Sequence, residues 1–354
     1  MKQNNGKLYF KTIHEISPEV NSYIENRVKE LNFLKRLEGV LISLPEKRKQ
    51  NPIMRSCLSY IFYRNLGGTK EIKDLIPALA ISELSNYYCY MDNWIFDNKN
   101  NCHSNKNNLN LIIASSAIFR EITQQTIDDL TSTNQIKLKI SKKLSEATIR
   151  GYHGQVLDFT TTIQDGLRFD EKEFIDFYKK RADLLSGALY GLSSEIGAII
   201  AEAEDRNILN SRKFGELFGA GMQISNDLGD FALFSNENCN TFKSYQDQLS
   251  DIVEDRITLP IYFALKNGSN FERNSLINLI GKRNASLNEK RQASKAILSS
   301  GAYDKTKTIL KEYRNELKKI INQFPENEYR DAISSMISTI CYNKFLRNLK
   351  SLGD

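Results

Sequence analysis

The sequence predicts an all-α protein, and three observations carry that expectation. Only 6 prolines and 18 glycines are spread over 354 residues, too few turn-makers for a many-stranded barrel or sandwich. Apolar residues recur at helical spacing along most of the chain. No stretch shows the period-two alternation of a half-buried strand. Taken in order, helical runs are expected near 18–43, 52–66 and 72–94. The third is a long buried helix, with Leu75, Leu79, Ile81 and Leu84 apolar and Pro77 tolerated near its start. Asn-Lys punctuation over 97–108 ends it, and further runs follow near 109–132, 136–162, 171–204, 211–235, 252–267, 288–323 and 326–350. Turn residues such as Leu66-Gly67-Gly68 and Lys266-Asn267-Gly268 separate them. The segment 184–201 is apolar on more than one face, which places it inside a bundle rather than on its skin. Its small residues Gly187, Ala188, Gly191, Ser193, Ser194 and Gly197 permit close approach of another helix or of a ligand. No fixed-period repeat and no Pro/Ser linker divides the chain. Residues 1–44 read as an N-terminal extension and first helix, and 45–354 as one all-α domain.

With 40% hydrophobic and 26% charged residues the chain has the composition of a globular protein. The five cysteines (Cys57, Cys89, Cys102, Cys239, Cys341) are odd in number and contain no CxxC pair. They imply neither a disulfide framework nor a cysteine zinc site, and a reduced, cytoplasmic compartment is expected. The net charge of +6 comes without a basic arm or interleaved aromatic and basic residues, so no nucleic-acid partner is expected. No apolar run approaches a membrane span, and the first residues lack the apolar core of a signal peptide. Stable membrane insertion is not expected.

The segment from Gly219 to Asp230 carries the strongest chemical signal. Gln223, Asn226, Asp227 and Asp230 sit at i, i+3, i+4 and i+7 and share one helical face. Met222, Ile224, Leu228 and Phe231 flank them. Carboxylates in such an apolar run are costly unless paired or bound to metal. Capping or a solvated stripe is the plainer explanation of the same pattern. A second acidic cluster, Asp92-Asn93-Trp94-Ile95-Phe96-Asp97, ends the long third helix. Asn93 and Asp97 align four apart, with Asp92 at the edge. Two such oxygen-bearing faces brought opposite each other would suit Mg²⁺, which takes a few carboxylates, keeps waters and completes its shell with substrate phosphates.

These segments resemble the trans-isoprenyl diphosphate synthases (polyprenyl synthetases) and the terpene synthases that share their fold, over roughly residues 45–350. Ser225-Asn-Asp-Leu-Gly-Asp230, preceded by Gly221-Met-Gln223, is similar to the family's second Asp-Asp-x-x-Asp motif, with Asn226 in its first position. Aligning Glu83 with the glutamate that starts the first-motif helix puts Asn93, Trp94 and Asp97 at the first-motif positions; an alternative register begins at Asp92. Gly154-Gln155-Val-Leu-Asp158 resembles the family's Gly-Gln-x-x-Asp element. Asp251 to Pro260 resembles its lysine loop, with Arg256 in place of lysine and Thr258-Leu259-Pro260 retained. The run from Tyr329 to Arg347 resembles the closing helix. The resemblance implies a single large helical bundle of the isoprenoid synthase type around a central apolar cavity, and a homodimer. It also implies Mg²⁺ held by Asp92, Asn93, Asp97, Asn226, Asp227 and Asp230. A prenyl diphosphate substrate would be bound by Arg55, Gln155, Asp158, Gln223 and Arg256.

The departures from the family bear on subtype. Asn51-Pro-Ile-Met-Arg-Ser56 stands where a Gly-Lys-Arg-x-Arg-Pro-like element would hold a second diphosphate, so only Arg55 survives, although Lys47, Arg48 and Lys49 lie nearby. Asn98 to His103 lacks the usual Arg-Arg-Gly, and Leu185-Ser186 replaces the usual Lys-Thr. Each lost charge-assisted hydrogen bond forfeits roughly 1.5–3 kcal/mol. One diphosphate site is therefore expected, with Arg256 and Arg181 acting on the leaving group. Tyr88 and Tyr90, best placed among Tyr87, Tyr88, Tyr90, Trp94, Phe96 and Tyr190, would stabilise a prenyl cation through their ring faces; ordinary core packing explains aromatic residues there as well. Asn226 leans toward a cyclase motif, while Phe234 stands where that motif carries glutamate. His14, His103 and His153 have no ligand spacing. The leading expectation is a class I terpene synthase acting on an allylic diphosphate of fifteen to twenty carbons. The alternatives are a chain-elongating polyprenyl diphosphate synthase, in which Tyr88 limits product length, a transferase using another acceptor, and a non-catalytic subunit.

Overall fold

A computed structural model describes residues 5–49, 53–96, 106–232 and 249–341. Among them are sixteen α-helices, one π-helical turn, no strand, and one isolated antiparallel bridge between Thr162 and Arg256. The all-α expectation holds. The chain divides into two compact units: Met1–Arg150 with Ala188–Glu216 and Lys319–Met336, and Gly151–Gly187 with Leu217–Lys318 and Ile337–Asp354.

The first unit contains α1 (Asn5–Glu30), α2 (Lys35–Lys49), α3 (Met54–Asn65), α4 (Ile72–Phe96), α5 (Lys106–Asp128), the first part of α6 (Asn134–Thr160) and α9 (Ala188–Ile200). The expected run 18–43 is two helices, because Asn32 adopts a left-handed conformation (φ 48°) and its N–H closes on Lys29 O at 3.0 Å, a stop that asparagine tolerates. Helix α4 is the long buried helix the sequence anticipated. Its run from Ala78 to Tyr88 is buried at every position, and it packs along α5, α1, α3 and α9. Every residue of α9 is buried, as its all-round apolarity requires. Gly197 permits its approach to α3, since a Cβ there would lie 2.1 Å from Ser59 O. Several polar groups in this core are partnered: Ser59 Oγ contacts Ser82 Oγ (2.8 Å) and donates to Ser193 O (2.7 Å). Glu83, 1% exposed, accepts from the N–H groups of Arg55 and Ser56 in the first turn of α3.

The second unit contains the end of α6, α7 (Ile163–Gly166), α8 (Glu171–Ala182), the π turn Asp183–Gly187, and the end of α10 (Asp205–Ala232). It continues through α11 (Ser250–Val253), α12 (Leu259–Asn267), α13 (Asn270–Ile277), α14 (Leu287–Ser299) and most of α15 (Ala302–Ile321). The closing helix α16 is Glu328–Cys341; residues 342–350 of the expected final run lie outside the described residues. Four reciprocal capping boxes start α7, α8, α13 and α14, at Thr162, Asp170, Ser269 and Ser286. The expected run 288–323 is split at Gly301, whose φ of 76° suits glycine. The run 252–267 is split by Asp255, at φ 59°. The run 171–204 is helical to Ile200 but widens into the π turn in its middle. A Cβ on Gly154 of α6 would lie 2.5 Å from Leu185 N, and one on Gly219 of α10 would lie 2.6 Å from Ser186 O. Two glycines thus bring two helices onto one irregular turn, the kind of local geometry that recurs at functional sites.

Candidate active site

The last two turns of α10 set the site in the second unit. Asp227 and Asp230 are each 6% exposed. Both carboxylate oxygens of Asp227 receive protein donors: Gln223 Nε2 reaches Oδ1 at 3.0 Å, and the Tyr178 hydroxyl donates to Oδ2. Gln223 Oε1 in turn accepts from Ser186 Oγ of the π turn at 2.7 Å. Asn226 shares the sequence pattern of this face but is exposed. Its side chain therefore differs in exposure from its two buried neighbours Asp227 and Asp230.

Two guanidinium groups belong to the same cluster, Arg181 acting on Asp227 and both meeting Asp158. Arg181, at the end of α8 and 3% exposed, donates from Nη2 to Ile257 O at 2.7 Å. Its Nη1 lies 3.6 Å from Asp158 Oδ1 and is buried without a hydrogen-bond acceptor. Arg256 Nη1 donates to Asp158 Oδ2 at 3.2 Å, while Nη2 pairs with Glu254 Oε2 at 2.9 Å. Asp158 therefore sits between the two arginines. The loop carrying Arg256 is held by local geometry: Leu249 and Asp255 take left-handed conformations either side of α11, and Asp255 Oδ1 accepts from Ile163 N at 3.1 Å. Gln155, one turn before Asp158, is buried; His153 is exposed.

The electrostatics of this cluster are those of an oxygen-ligand site with excess negative charge. Burial pushes Asp227 up to about 7, with Asp158 adding to the rise and Tyr178, Arg181 and Gln223 opposing it. Asp251 is driven well above the carboxylate range by burial, then by Asp230, Asp227 and Asp158, with Arg256 opposing. Four carboxylates thus sense one another against two guanidinium groups, and the balance favours either protons or a divalent cation. Among the described residues no three Asp, Glu, His or Cys side chains form a closed metal cage. Mg²⁺ does not need one: it takes one or two carboxylates, retains waters and completes its octahedron with substrate phosphate. Hard oxygen donors beside an under-paired arginine fit a magnesium-bound diphosphate.

The first acidic segment is described within the first unit. Asp92 Oδ2 lies 3.4 Å from Arg120 Nη2, and the same guanidinium stacks over the Tyr88 ring at 5.2 Å. Tyr88 is buried and its hydroxyl meets Thr148 Oγ1 at 2.6 Å. Tyr90 is 39% exposed and packs edge-on against Trp94 at 5.3 Å. Two positions apart on α4, Tyr88 and Tyr90 point about 200° round the helix axis from each other. Asn93 is partly buried. Asp97, residues 98–103 and Phe234 lie outside the described residues. Arg55 stacks over the Tyr190 ring at 4.4 Å, with its Nε buried and unpartnered. Sequence reasoning missed Tyr178 and Asp251. Tyr178 had a usable signal, standing three residues before Arg181 on one face of α8; Asp251 opened the loop segment, but Glu254 and Asp255 follow it closely and nothing in the sequence singles out which of the three joins the acidic cluster.

The second unit thus presents a buried acidic face, a buried arginine and an arginine-bearing loop on an all-α scaffold. The fold agrees with solved prenyl synthases. A geranylgeranyl pyrophosphate synthetase from Pyrococcus horikoshii superposes with a TM-score of 0.76 at 15% identity, covering 95% of this chain and 98% of that one. A decaprenyl diphosphate synthase from Rhodobacter capsulatus gives 0.74 at 18%, covering 95% and 98%. The sequence pattern of the family described as polyprenyl synthetase matches residues 54–297, and the chain belongs to that family. Among curated relatives, a geranylgeranyl pyrophosphate synthase of Geoglobus acetivorans is 25% identical over 222 residues, 62% of this chain and 63% of that protein. A decaprenyl-diphosphate synthase of Dictyostelium discoideum is 27% identical over 162 residues, 46% of this chain and 33% of that protein. The chain thus spans less than two thirds of the length of these two. A short chain isoprenyl diphosphate synthase of Methanocaldococcus jannaschii is 23% identical over 316 residues, covering 86% and 87%.

Proposed function

We propose that this chain is a magnesium-dependent prenyltransferase that ionises an allylic prenyl diphosphate and extends it with isopentenyl diphosphate. The carrying observation is the cluster of Asp227, Asp230, Asp251 and Asp158 beside Arg181 and Arg256. The names of the relatives favour elongation over the cyclase reading that the missing cations first suggested. Magnesium, when bound, supplies Lewis-acid stabilisation of the departing diphosphate oxygens. Asp227 and Asp230 would hold it. Asp92, Asn93, Asp97 and Asn226 keep the ligand role that their motif positions imply. Arg181 and Arg256 would receive the negative charge that develops on diphosphate as the allylic C–O bond breaks and the electron pair leaves with oxygen. Gln155, Gln223 and Asp158 would orient that headgroup, and Tyr88 would bound the growing chain. We propose a homodimer for the assembly; light scattering tests it. No described helix is long and apolar enough to cross a membrane.

A second reading, the class I cyclase, is favoured by Arg55 and Leu185. Arg55 is engaged with the Tyr190 ring, and Glu83 already takes the N–H groups at the start of α3, so little positive potential is left there for a second diphosphate. Incubation with farnesyl or geranylgeranyl diphosphate, with and without isopentenyl diphosphate, decides between them. Elongation gives a longer prenyl diphosphate only when isopentenyl diphosphate is present. A hydrocarbon or alcohol from the allylic substrate alone supports the cyclase. No product from either, with no magnesium-dependent pyrophosphate binding, supports the non-catalytic alternative.

A further inference from the structure

Tyr178 is fully enclosed at the end of α8, yet it carries a hydroxyl that phenylalanine would not. A buried hydroxyl is costly unless partnered, and this one is directed at Asp227 Oδ2. The other oxygen of Asp227 is taken by Gln223. The two donors come from different elements, α8 and α10, so together they fix both the rotamer and the plane of the carboxylate. The tyrosine side is itself braced: Phe174 packs at 6.4 Å between centroids, and the Arg181 guanidinium lies 5.0 Å from the Tyr178 ring centre.

We infer that Tyr178 is a positioning residue: its hydroxyl, with the Gln223 amide, holds the Asp227 carboxylate in one orientation for the magnesium-bound diphosphate. The inference rests on the function proposed above and deepens it. Partners that orient a metal ligand typically contribute ten- to a hundredfold in metal affinity. Magnesium is sensitive to such orientation because it demands near-ideal octahedral geometry. A purely structural hydroxyl would stabilise the fold and leave ligand binding untouched.

The test is calorimetric titration of the full chain with inorganic pyrophosphate at fixed magnesium. Tyr178→Phe should weaken binding by about tenfold or more, with an unchanged circular dichroism spectrum. Two further substitutions at position 178 separate donor from volume. Para-aminophenylalanine keeps a donor and should restore near wild-type affinity; para-fluorophenylalanine fills the same space without a donor and should behave as phenylalanine does. If phenylalanine compromises folding, the amino and fluoro pair alone carries the comparison. Wild-type affinity in the phenylalanine or fluoro protein, or an amino protein as weak as the fluoro protein, overturns the inference while the proposed function stands. Absence of any magnesium-dependent binding by the wild-type chain overturns both.

Discussion

Asp158 shows how much a single side chain carries here. Its two oxygens meet Arg181 at 3.6 Å and Arg256 at 3.2 Å, and all three groups are at most 14% exposed. Removing one member of a buried charge set leaves its partners uncompensated, at a cost of about 3–5 kcal/mol. Asp158→Ala is therefore expected to lower the unfolding free energy in urea by about 3 kcal/mol and to weaken pyrophosphate binding, because both arginines lose their anchor. Asp227 predicts a pH effect on the metal-free chain. Its carboxyl is raised to about 7 by burial, while in the unfolded chain it titrates near its ordinary value of about 4. Across that window the folded chain holds more protons than the unfolded chain, so stability is full at the acid end and falls as pH rises through 7. The loss is on the order of 4 kcal/mol. Melting temperatures in chelator should decline from pH 5 to 8, and Asp227→Asn should flatten the decline. A flat profile in the wild-type chain would contradict the raised carboxyl.

At the scale of elements, close approach of helices is bought with missing side chains. Gly154→Ala would place a methyl 2.5 Å from the Leu185 backbone nitrogen. Neither backbone can yield cheaply, and overpacking of this kind costs about 1–3 kcal/mol. The expected result is that loss of stability together with reduced pyrophosphate affinity, since the shifted turn carries Ser186 and, through it, Gln223. A second device joins α6, α9 and α10 in the first unit. Glu195, 4% exposed, pairs with Lys143 at 3.3 Å, and Glu216 pairs with Arg212 at 2.8 Å and with Arg150. Lys143→Met should cost about 3 kcal/mol in urea denaturation, and the added change Glu195→Gln should recover much of it, because the uncompensated charge is then gone.

At the scale of the whole molecule, a chain of net charge +6 conceals a site with a local excess of carboxylate. Pyrophosphate alone is repelled by that excess, and magnesium alone lacks the phosphate oxygens that complete its shell. Thermal unfolding should therefore respond to the two together and little to either singly. At ligand concentrations near a hundred times Kd the stabilisation is about 2.7 kcal/mol. An equal shift with pyrophosphate and chelator would show that the arginines, not the acidic cluster, dominate binding.

Much of this protein was legible before folding. The helices followed from apolar periodicity, the buried character of α4 and α9 from their all-round apolarity, and the acidic face of α10 from its i, i+4, i+7 spacing. Helix ends were less legible, because a single residue in the left-handed conformation, such as Asn32 or Asp255, decides each of them. What only the tertiary structure decided is which polar groups meet. Tyr178 lies 49 residues from Asp227 along the chain, and Arg181 lies 76 from Ile257. Periodicity reports which face of a helix is buried, but not the partner set against it. That choice belongs to packing, where close glycines, buried charges and unpaired donors must all be satisfied at once.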